Sequence, residues 1–335
     1  MKKQNWMNLL RCISFLAVAV MLVSFLSLWL QRNTFTGAWN YMAKMNEFYG
    51  LERDSLDYIC VGSSHAYCTV NPLEIWDESN LKGFTLATQE QPLVVSYHYL
   101  KEAFKTQSPK VVFLEGFMGY TTAKTEAALY TAADSMRFSW NKLQMIHAMA
   151  EPDQRENYYF NFLKYHSRWK DVAFKELDTA LQYPQDLHKG FAPVHGTKPY
   201  GNIIPDYNAV TAEMPEETRI RLNEIHALTE KNGAELVLLI APFGDREEVT
   251  AAMKAEREWA AEKNVRVVDL ALMAEELGLA PEDYYDSAHL DVSGAAKASR
   301  YLATVLKEYS LSPSSDEKWD ADYQAFAKAQ KGETP

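Results

Sequence analysis

The uncharged segment from Cys12 to Leu30 restricts the fold of this chain more than any other feature of its sequence. Its nineteen residues are rich in Leu, Val, Phe and Ala, and only Ser14, Ser24 and Ser27 interrupt them. A helix of this length rises about 28 Å, close to the ~30 Å hydrocarbon core of a bilayer. A helix buried in a soluble protein would normally carry a polar stripe. We therefore predict a transmembrane anchor over residues 12–30.

The residues around this segment predict its orientation. Lys2, Lys3 and Arg11 precede it, and the positive-inside rule places such residues in the cytoplasm. Residues 1–11 are then a cytoplasmic tail, and everything after about Arg32 is extracytoplasmic. A cleaved signal peptide would have a shorter apolar run and a small-x-small exit, whereas this run ends in bulky residues that include Trp29. We predict a single-pass protein of the cell membrane with a retained anchor.

The composition indicates a folded domain without a nucleic-acid partner. Apolar residues make up 47% of the 335 residues and charged residues 24%, as in globular proteins. The net charge of -11 leaves no basic excess to neutralise phosphates. The sequence contains no Cys-x-x-Cys spacing, which would have indicated a metal site. Cys60 and Cys68 form either one disulfide or two buried thiols.

Short apolar runs alternate with longer amphipathic stretches after residue 57, the pattern of parallel strands joined by crossover helices. We therefore predict a doubly wound, three-layer α/β domain with a parallel sheet over residues 57–310. The predicted strands are Tyr58–Val61, Gly83–Ala87, Val111–Glu115, Leu236–Ala241 and Val265–Leu270. The predicted helices are Leu93–Lys105, Glu216–Lys231, Arg246–Lys263 and Ser293–Tyr309.

Three segments lie outside this alternation. Residues 31–56 are expected to form a stalk or first helix. Residues 120–213 lack β-branched runs, and we interpret them as a mostly helical insertion after the third strand, loop-like over 183–207. The insertion forms either a lid over the substrate site or additional packing. Residues 311–335 are expected to be a carboxyl-terminal tail with one short polar helix over 316–330.

Ser64 is the first candidate for chemistry, because a predicted strand ends just before it. The strand runs into Gly62-Ser63-Ser64, and a helix is expected to follow. Glycine permits a tight turn there, and the helix start directs backbone N–H groups at a developing oxyanion. Serines at such turns are also ordinary helix caps. This block therefore does not identify a nucleophile by itself.

A second block, between the last predicted strand and the last predicted helix, supplies a base. Asp286 stands three residues before His289. Its carboxylate can orient the imidazole and stabilise the imidazolium that forms when His289 takes the serine proton. We therefore expect Ser64, Asp286 and His289 to form a catalytic triad.

Together the two blocks resemble the first and last motifs of the SGNH, or GDSL-like, hydrolase superfamily. The resemblance implies an SGNH- or flavodoxin-like fold, with Ser64 as nucleophile, His289 as general base and Asp286 as its orienting acid. It also implies an oxyanion hole made by the backbone N–H groups of Ser64, Ala87 and Thr88. This chemistry needs no cofactor.

The middle motifs depart from those of the superfamily. Thr85–Gln89 lacks the glycine that many members carry after strand two, and Glu115–Gly119 replaces the usual Gly-x-Asn-Asp after strand three. The second change removes a side-chain amide that would bind an oxyanion. These losses favour an alternative, a non-catalytic SGNH-like scaffold or glycan-binding partner of a membrane O-acyltransferase. The retained serine, histidine and aspartate favour an enzyme.

The departures are similar to those of membrane-anchored SGNH-like proteins that assist acylation of cell-envelope polymers. This branch includes the D-alanine transfer protein of teichoic acids and accessory proteins of alginate-type O-acetylation. The resemblance implies an acyl-Ser64 intermediate, a multi-spanning membrane O-acyltransferase as partner, and a polysaccharide or other envelope glycan as acceptor. The tract Lys164–Trp169 is similar to a motif of such proteins. Residues expected to contact substrate are Ser63, His65, Gln91, His166 and Arg168.

The acceptor of the acyl group stays open. Water would make the chain an esterase, and a sugar hydroxyl would make it an acyltransferase. The anchor favours transfer, because one spanning helix would keep Ser64 near the exit of a membrane-delivered acyl donor. The net charge of -11 favours a neutral exopolysaccharide over a polyanion such as teichoic acid.

Overall fold

The computed structural model describes residues 2–30, 41–159, 161–173, 186–196, 199, 204–244 and 246–332. Its centre is a five-stranded, all-parallel sheet with strand order β2-β1-β3-β4-β5. The strands are β1 Tyr58–Gly62, β2 Gly83–Ala87, β3 Val111–Glu115, β4 Glu235–Ile240 and β5 Arg266–Asp269. The five predicted strands are confirmed, with ends within one residue of those expected, and so is the α/β class with a parallel sheet.

Helices alternate with these strands, and the four crossover helices are confirmed with ends within two residues of those predicted. In chain order the helices are α1 Lys2–Leu30, α2 Tyr41–Gly50, α3 Ser64–Thr69, α4 Pro72–Ser79, α5 Leu93–Ala103, α6 Glu126–Ser135, α7 Trp140–Met149, α8 Glu156–Tyr159, α9 Asn161–Tyr165, α10 Glu216–Lys231, α11 Glu247–Glu262, α12 Val292–Lys307 and α13 Glu317–Gln330. Short 3-10 turns occupy Phe117–Tyr120, His166–Lys170 and Pro281–Asp283.

Both faces of the sheet are covered, as its apolar strands require. Ile59 and Val61 of β1 enter one core, which α5, α10 and α11 complete. Tyr58 and Cys60 enter the other core, which α3 and α12 complete. Because all four side chains are fully buried, the open part of the sheet is its edge, where the strands end and the turns after them lie.

Residues 41–50 do not form a stalk. α2 packs against the sheet, where Met45 and Phe48 are 2% and 1% exposed. The ring of Phe48 lies 5.5 Å from the ring of Phe84 on β2. The helix is drawn into the core because its apolar residues share one face and gain free energy by leaving water. Of the two alternatives, a stalk or a first helix, the structure therefore confirms a helix for residues 41–50, and residues 31–40 lie outside the described residues.

The carboxyl-terminal segment is not a tail either. The helix predicted over 316–330 is confirmed as α13, but it is docked on the domain. Trp319 is 5% exposed, and its ring lies 5.5 Å from that of Trp76. Lys189, itself buried, donates to the Asp322 carboxylate at 2.6 Å. Burial of two large aromatic side chains, Trp319 and Phe326, explains why a mostly polar helix packs here.

The insertion is helical where the structure describes it. Four helices, α6 to α9, and the 3-10 turn His166–Lys170 follow β3, in line with the prediction. Part of the predicted loop-like portion over 183–207, namely residues 183–185, 197–198 and 200–203, lies outside the described residues.

The anchor helix α1 meets the insertion at its carboxyl end. Gln4–Ser27 has a mean hydropathy of 2.4 and is long and apolar enough to cross a membrane. Ser27 Oγ accepts the backbone N–H of Phe162 at 3.2 Å, and the Leu30 carbonyl accepts Arg168 Nη1 at 2.8 Å. The last turn of this apolar helix is therefore bound to the insertion.

Replacing Trp319 with alanine is expected to lower the free energy of unfolding by about 3–5 kcal/mol, because the cavity left against Trp76 cannot close fully. Urea unfolding of the full chain in detergent, followed by circular dichroism, measures this loss. Lys328→Ala, at an exposed position of the same helix, is the matched control and should change stability by less than about 0.5 kcal/mol. Equal losses in both variants would contradict the docking of α13.

Candidate active site

Ser64 lies where β1 turns into α3. Ser63 caps this helix, because its hydroxyl accepts the backbone N–H of His65 at 3.3 Å. The position before the two serines must be glycine, since a Cβ on Gly62 would lie 2.6 Å from the Cβ of Glu115. The half-buried Ser64 is the first residue of α3 and stands at the carboxyl edge of the sheet, the location that the sequence predicted.

Ser64, His289 and Asp286 form a continuous hydrogen-bonded series. Ser64 Oγ is 2.8 Å from His289 Nε2, and His289 Nδ1 is 2.9 and 3.0 Å from the two carboxylate oxygens of Asp286. Because Nδ1 must carry a proton to bond the carboxylate, Nε2 is left to accept the serine proton. The structure therefore brings together the three residues that the sequence predicted to act together.

A tight loop holds the acid and the base in place. Tyr284 and Leu290 pair across an antiparallel bridge that closes this loop. Asp286 Oδ1 also accepts the backbone N–H groups of Ala288 and His289 at 2.8 and 2.9 Å. The side chains of Asp286 and His289 remain 37% and 22% exposed, so a substrate can reach them.

His65 supports His289 from inside the protein. Its Nδ1 lies 3.1 Å from the Pro242 carbonyl, its ring stacks on Phe117 at 3.8 Å, and it lies 4.5 Å from the His289 ring. Burial, reinforced by the neighbouring His289, lowers the pKa of His65 well below 6.5, so this ring is a neutral packing surface. The prediction that His65 contacts substrate was wrong, because protein atoms cover it.

Ser63 also faces inward. Its backbone N–H and its hydroxyl both donate to Glu115 Oε2, at 3.1 and 2.8 Å, while Phe117 N–H donates to Glu115 Oε1 at 2.6 Å. Burial raises the pKa of Glu115, and these three hydrogen bonds oppose the rise. Ser63 is 1% exposed, so it positions the turn that carries Ser64 and does not contact substrate as predicted.

Gln91 is a third residue whose predicted contact with substrate was wrong. Its Oε1 accepts the Thr88 hydroxyl at 2.9 Å, and its Nε2 donates to Ser96 Oγ at 2.9 Å. The side chain is 1% exposed. Gln91 therefore closes the turn after β2 from within.

Two backbone N–H groups beside the serine are available for an oxyanion. Within the described part of the chain, the N–H groups of Ser64 and Thr88 have no hydrogen-bond acceptor. Gly62 lies opposite Ala87 in the sheet, so the turns after β1 and β2 are neighbours. Unsatisfied donors next to a serine hydroxyl suit a developing negative charge. The role expected for the N–H of Ala87 stays a prediction.

Sequence reasoning missed Tyr67, one helical turn after Ser64. The Tyr67 hydroxyl lies within hydrogen-bonding reach of the Ser64 side chain, and burial raises the pKa of Tyr67, so it stays a neutral donor. Lys44 Nζ lies 4.6 Å from the centre of this ring. Both residues, with Ala87 and Thr88, line a cavity of about 20 Å³, enough for about one water molecule.

The two residues differ in how far the sequence could have revealed them. The spacing of three residues between Ser64 and Tyr67 places both on one face of a helix, and that signal could have been used. Lys44 reaches the site from α2, a segment that the sequence assigned to a stalk or first helix, with no indication that it packs beside Ser64. Burial lowers the pKa of Lys44 to about 8, and its ammonium donates to the Gly190 carbonyl at 2.7 Å.

A second buried acid, Glu256 on α11, lies close to Glu115. Among the residues that the structure describes, neither Glu256 carboxyl oxygen has a hydrogen-bond partner. Gly119 makes room for the group, since a side chain there would overlap it. Burial, reinforced by the charge of Glu115, raises the pKa of Glu256 well above 4.5. Its position between Met253 and Trp259 on the apolar face of α11 was a signal in the sequence.

His166 and Arg168 are not assembled with the triad. Arg168 donates to the Leu30 carbonyl at the end of the anchor. The exposed His166 has its Nδ1 2.6 Å from the Leu163 carbonyl. Their described contacts thus lie at the junction of anchor and insertion and do not include Ser64 or His289. The prediction that they line the substrate site is corrected accordingly.

The cysteines and acids give no further reactive group. In the described ranges, no group of three or more His, Cys, Asp or Glu side chains is arranged to hold a metal ion. Cys60 and Cys68 are separate, buried thiols, which decides against a disulfide. Burial raises the pKa of both thiols, so neither is a reactive thiolate near neutral pH.

Comparison with known proteins adds no family. No family model matches the chain, and no curated protein matches it. The resemblance to SGNH hydrolases therefore depends on the motifs around Ser64, Asp286 and His289.

Glu256 should make the protein less stable as pH rises. Above about pH 4.5 the unfolded chain loses this proton while the folded chain keeps it, so the free energy of unfolding falls by up to about 1.4 kcal/mol per pH unit until the folded pKa is reached. Glu256→Gln should remove that component of the slope. Urea unfolding between pH 5 and 8 measures it, with Glu258→Gln, exposed on the same helix, as the control. Parallel slopes for wild type and Glu256→Gln would contradict the assignment.

Proposed function

We propose that this chain is a membrane-anchored, extracytoplasmic serine hydrolase or acyltransferase of the SGNH type. It acts on O-acyl groups of cell-envelope or extracellular polysaccharide through an acyl-Ser64 intermediate. The observation that supports this most is the series of hydrogen bonds from Ser64 through His289 to Asp286. The strand order 2-1-3-4-5 supports it too, because Ser64 follows β1, and ligands in such sheets bind between β1 and β3, where the strand order reverses.

The first step is attack by Ser64 on the carbonyl carbon of an ester or thioester. His289 Nε2 takes the hydroxyl proton while the new C–O bond forms, and Asp286 stabilises the imidazolium. The neutral ring of His65 packs beside His289, so the imidazole has one orientation. The proton then passes to the leaving oxygen or sulfur as the tetrahedral intermediate collapses to the acyl-enzyme.

The oxyanion of that intermediate has three donors within this site. The N–H groups of Ser64 and Thr88 supply two, and the Tyr67 hydroxyl supplies the third. Tyr67 would therefore replace the side-chain amide that is missing after β3. The ammonium of Lys44 lies over the Tyr67 ring and helps to hold the phenol in this position.

A hydroxyl group completes the cycle by attacking the acyl-enzyme, again with His289 as base. Water as acceptor yields an esterase, and a glycan hydroxyl yields an acyltransferase. The anchor supports transfer, because it would hold Ser64 near a multi-spanning O-acyltransferase that delivers the acyl donor. The partially exposed acid and base leave room for a polymer to approach.

A fluorophosphonate probe tests the nucleophile. The full chain in detergent should be labelled on Ser64 with loss of fluoride, Ser64→Ala should abolish labelling, and His289→Ala should slow it by about 10⁴-fold or more. Ser108→Ala and His226→Ala, which change residues remote from the triad, should label as wild type does. A wild-type chain that stays unlabelled both alone and with its co-expressed membrane partner would instead favour the non-catalytic scaffold.

Tyr67→Phe tests the side-chain donor. Removing one oxyanion donor typically lowers kcat by about 10²-fold or more, and we expect a loss of this size in the hydrolysis of p-nitrophenyl acetate with little change in KM. The urea unfolding midpoint should stay near that of wild type, which separates loss of the donor from loss of the fold. Full activity in Tyr67→Phe would leave the oxyanion to backbone groups alone.

A further inference from the structure

The last turn of the anchor marks where the bilayer ends. The uncharged run closes at Leu30, and a helix from Cys12 to Leu30 spans about 28 Å, roughly the thickness of the hydrocarbon core. Ser27, Trp29 and Leu30 therefore lie at the boundary between lipid tails and headgroups, where Trp side chains concentrate in membrane proteins.

The insertion is attached to this turn. Ser27 accepts the N–H of Phe162, Trp29 Nε1 donates to the Ala173 carbonyl at 3.4 Å, and Leu30 accepts Arg168. Leu30 itself is 3% exposed, so the domain covers the end of the span closely. Elements that contact this turn must lie at the level of the lipid headgroups, a layer about 5–7 Å deep on each side of the core.

These same elements carry exposed apolar side chains. Leu163 on α9 is 40% exposed, and Trp169 in the following 3-10 turn is 65% exposed. Lys170, next to Trp169 and also exposed, has its ammonium 5.6 Å from the indole ring. An indole with a neighbouring ammonium is typical of side chains that lie among headgroups, since the ring enters the apolar boundary while the charge stays hydrated.

An apolar groove lies next to them. It encloses about 600 Å³ between α7 and α8, and Phe138 and Trp140 on its rim are 62% and 75% exposed. Tyr159, which lines it, is three residues before Phe162, a length of chain that spans at most about 11 Å. The groove is therefore close to the end of the anchor.

We propose that the insertion is a membrane-docking surface, formed by Phe138, Trp140, Leu163 and Trp169, that rests on the leaflet where the anchor emerges. Its occupant is lipid, namely headgroups and the first methylenes of the acyl chains. Continuity with the anchor carries this proposal. Exposing these four large apolar side chains to water is otherwise costly, because apolar surface of this kind is normally buried.

Lipid fits the surface better than a glycan does. Sites that bind sugars pair an aromatic ring with several polar groups, whereas Phe138, Trp140, Leu143 and Ala148 give this groove a chiefly apolar lining. Its polar residues already bond within the protein: the Tyr159 hydroxyl lies 2.6 Å from His147 Nε2, and Gln144 Oε1 accepts Lys101 Nζ. Docking would also give the domain a fixed orientation, because the anchor and the insertion would hold it at two points. The proposal rests on the anchor crossing a bilayer and is independent of the chemistry at Ser64.

Site-specific fluorescence in lipid nanodiscs tests it. In a Cys12→Ser background the two other cysteines are buried, so a single added cysteine can carry the polarity-sensitive dye NBD. The full chain would be labelled separately in Trp169→Cys and Trp140→Cys, in phosphatidylcholine and phosphatidylglycerol nanodiscs that contain lipids with nitroxide at the headgroup or deep in the acyl chain. Ile220→Cys, an exposed apolar position on α10, is the matched aqueous control, and Val18→Cys within α1 is the control for the span.

If the surface docks on lipid, NBD at positions 140 and 169 should emit at shorter wavelength and be strongly quenched by the headgroup nitroxide. NBD at position 220 should emit as it does in water. Emission as in water at 140 and 169, with deep quenching at 18, would overturn the docking surface while leaving the span intact. Loss of deep quenching at 18 would overturn the span and the proposal with it. None of these readings depends on activity, so they are separate from the test of Ser64.

Discussion

All strands of this sheet run in one direction, and the organisation of the candidate site depends on that constraint. Parallel strands end at the same edge, so the turns after β1, β2 and β3 meet there although they are distant in the chain. The serine comes from the first turn, the free N–H of Thr88 from the second, and Glu115 from the third. Both faces of the sheet are buried in apolar cores, which leaves this edge as the place where polar groups can gather.

On the inner side of Ser64, buried polar groups bond to one another and not to water. Glu115 holds the Ser63 turn through three hydrogen bonds, and the uncharged His65 ring supports His289. The acids Glu115 and Glu256 share a dry environment, which raises the pKa of both. Such burial lowers stability, and it persists here beside groups that align a nucleophile, a pattern common at functional sites. The loss of stability and the alignment of Ser64 therefore arise around the same turn, the one after β1.

Helices α2 and α13 and the insertion lie outside the alternating strands and helices. Their contacts in the structure differ from those that their composition indicated. Helix α2 places Lys44 over the ring of Tyr67, and α13 packs Trp319 against Trp76 of α4. The insertion binds the end of the anchor, where its exposed aromatic residues face the proposed lipid surface. Arg168 has its partner there, on the last carbonyl of α1. The domain and its apolar amino-terminal helix are thus connected through the insertion as well as through the chain.

The sequence by itself determined the strands, the crossover helices and an apolar amino-terminal helix long enough to span a membrane, and it singled out Ser64, Asp286 and His289. Each of these follows from local periodicity or from a short motif. Tertiary structure decided which of the residues near the site in sequence are buried and which are accessible. Ser63, His65 and Gln91 stand beside the site in the sequence, yet packing from Glu115, Phe117 and Ser96 buries them. Tyr67 and Lys44 acquire their positions from a short helix and from α2. Both α2 and α13 pack onto the core, a contact that the sequence did not predict for either segment. The local sequence pattern indicates whether a segment forms a helix or a strand. Burial depends instead on contacts between residues far apart in the chain, which no single segment encodes.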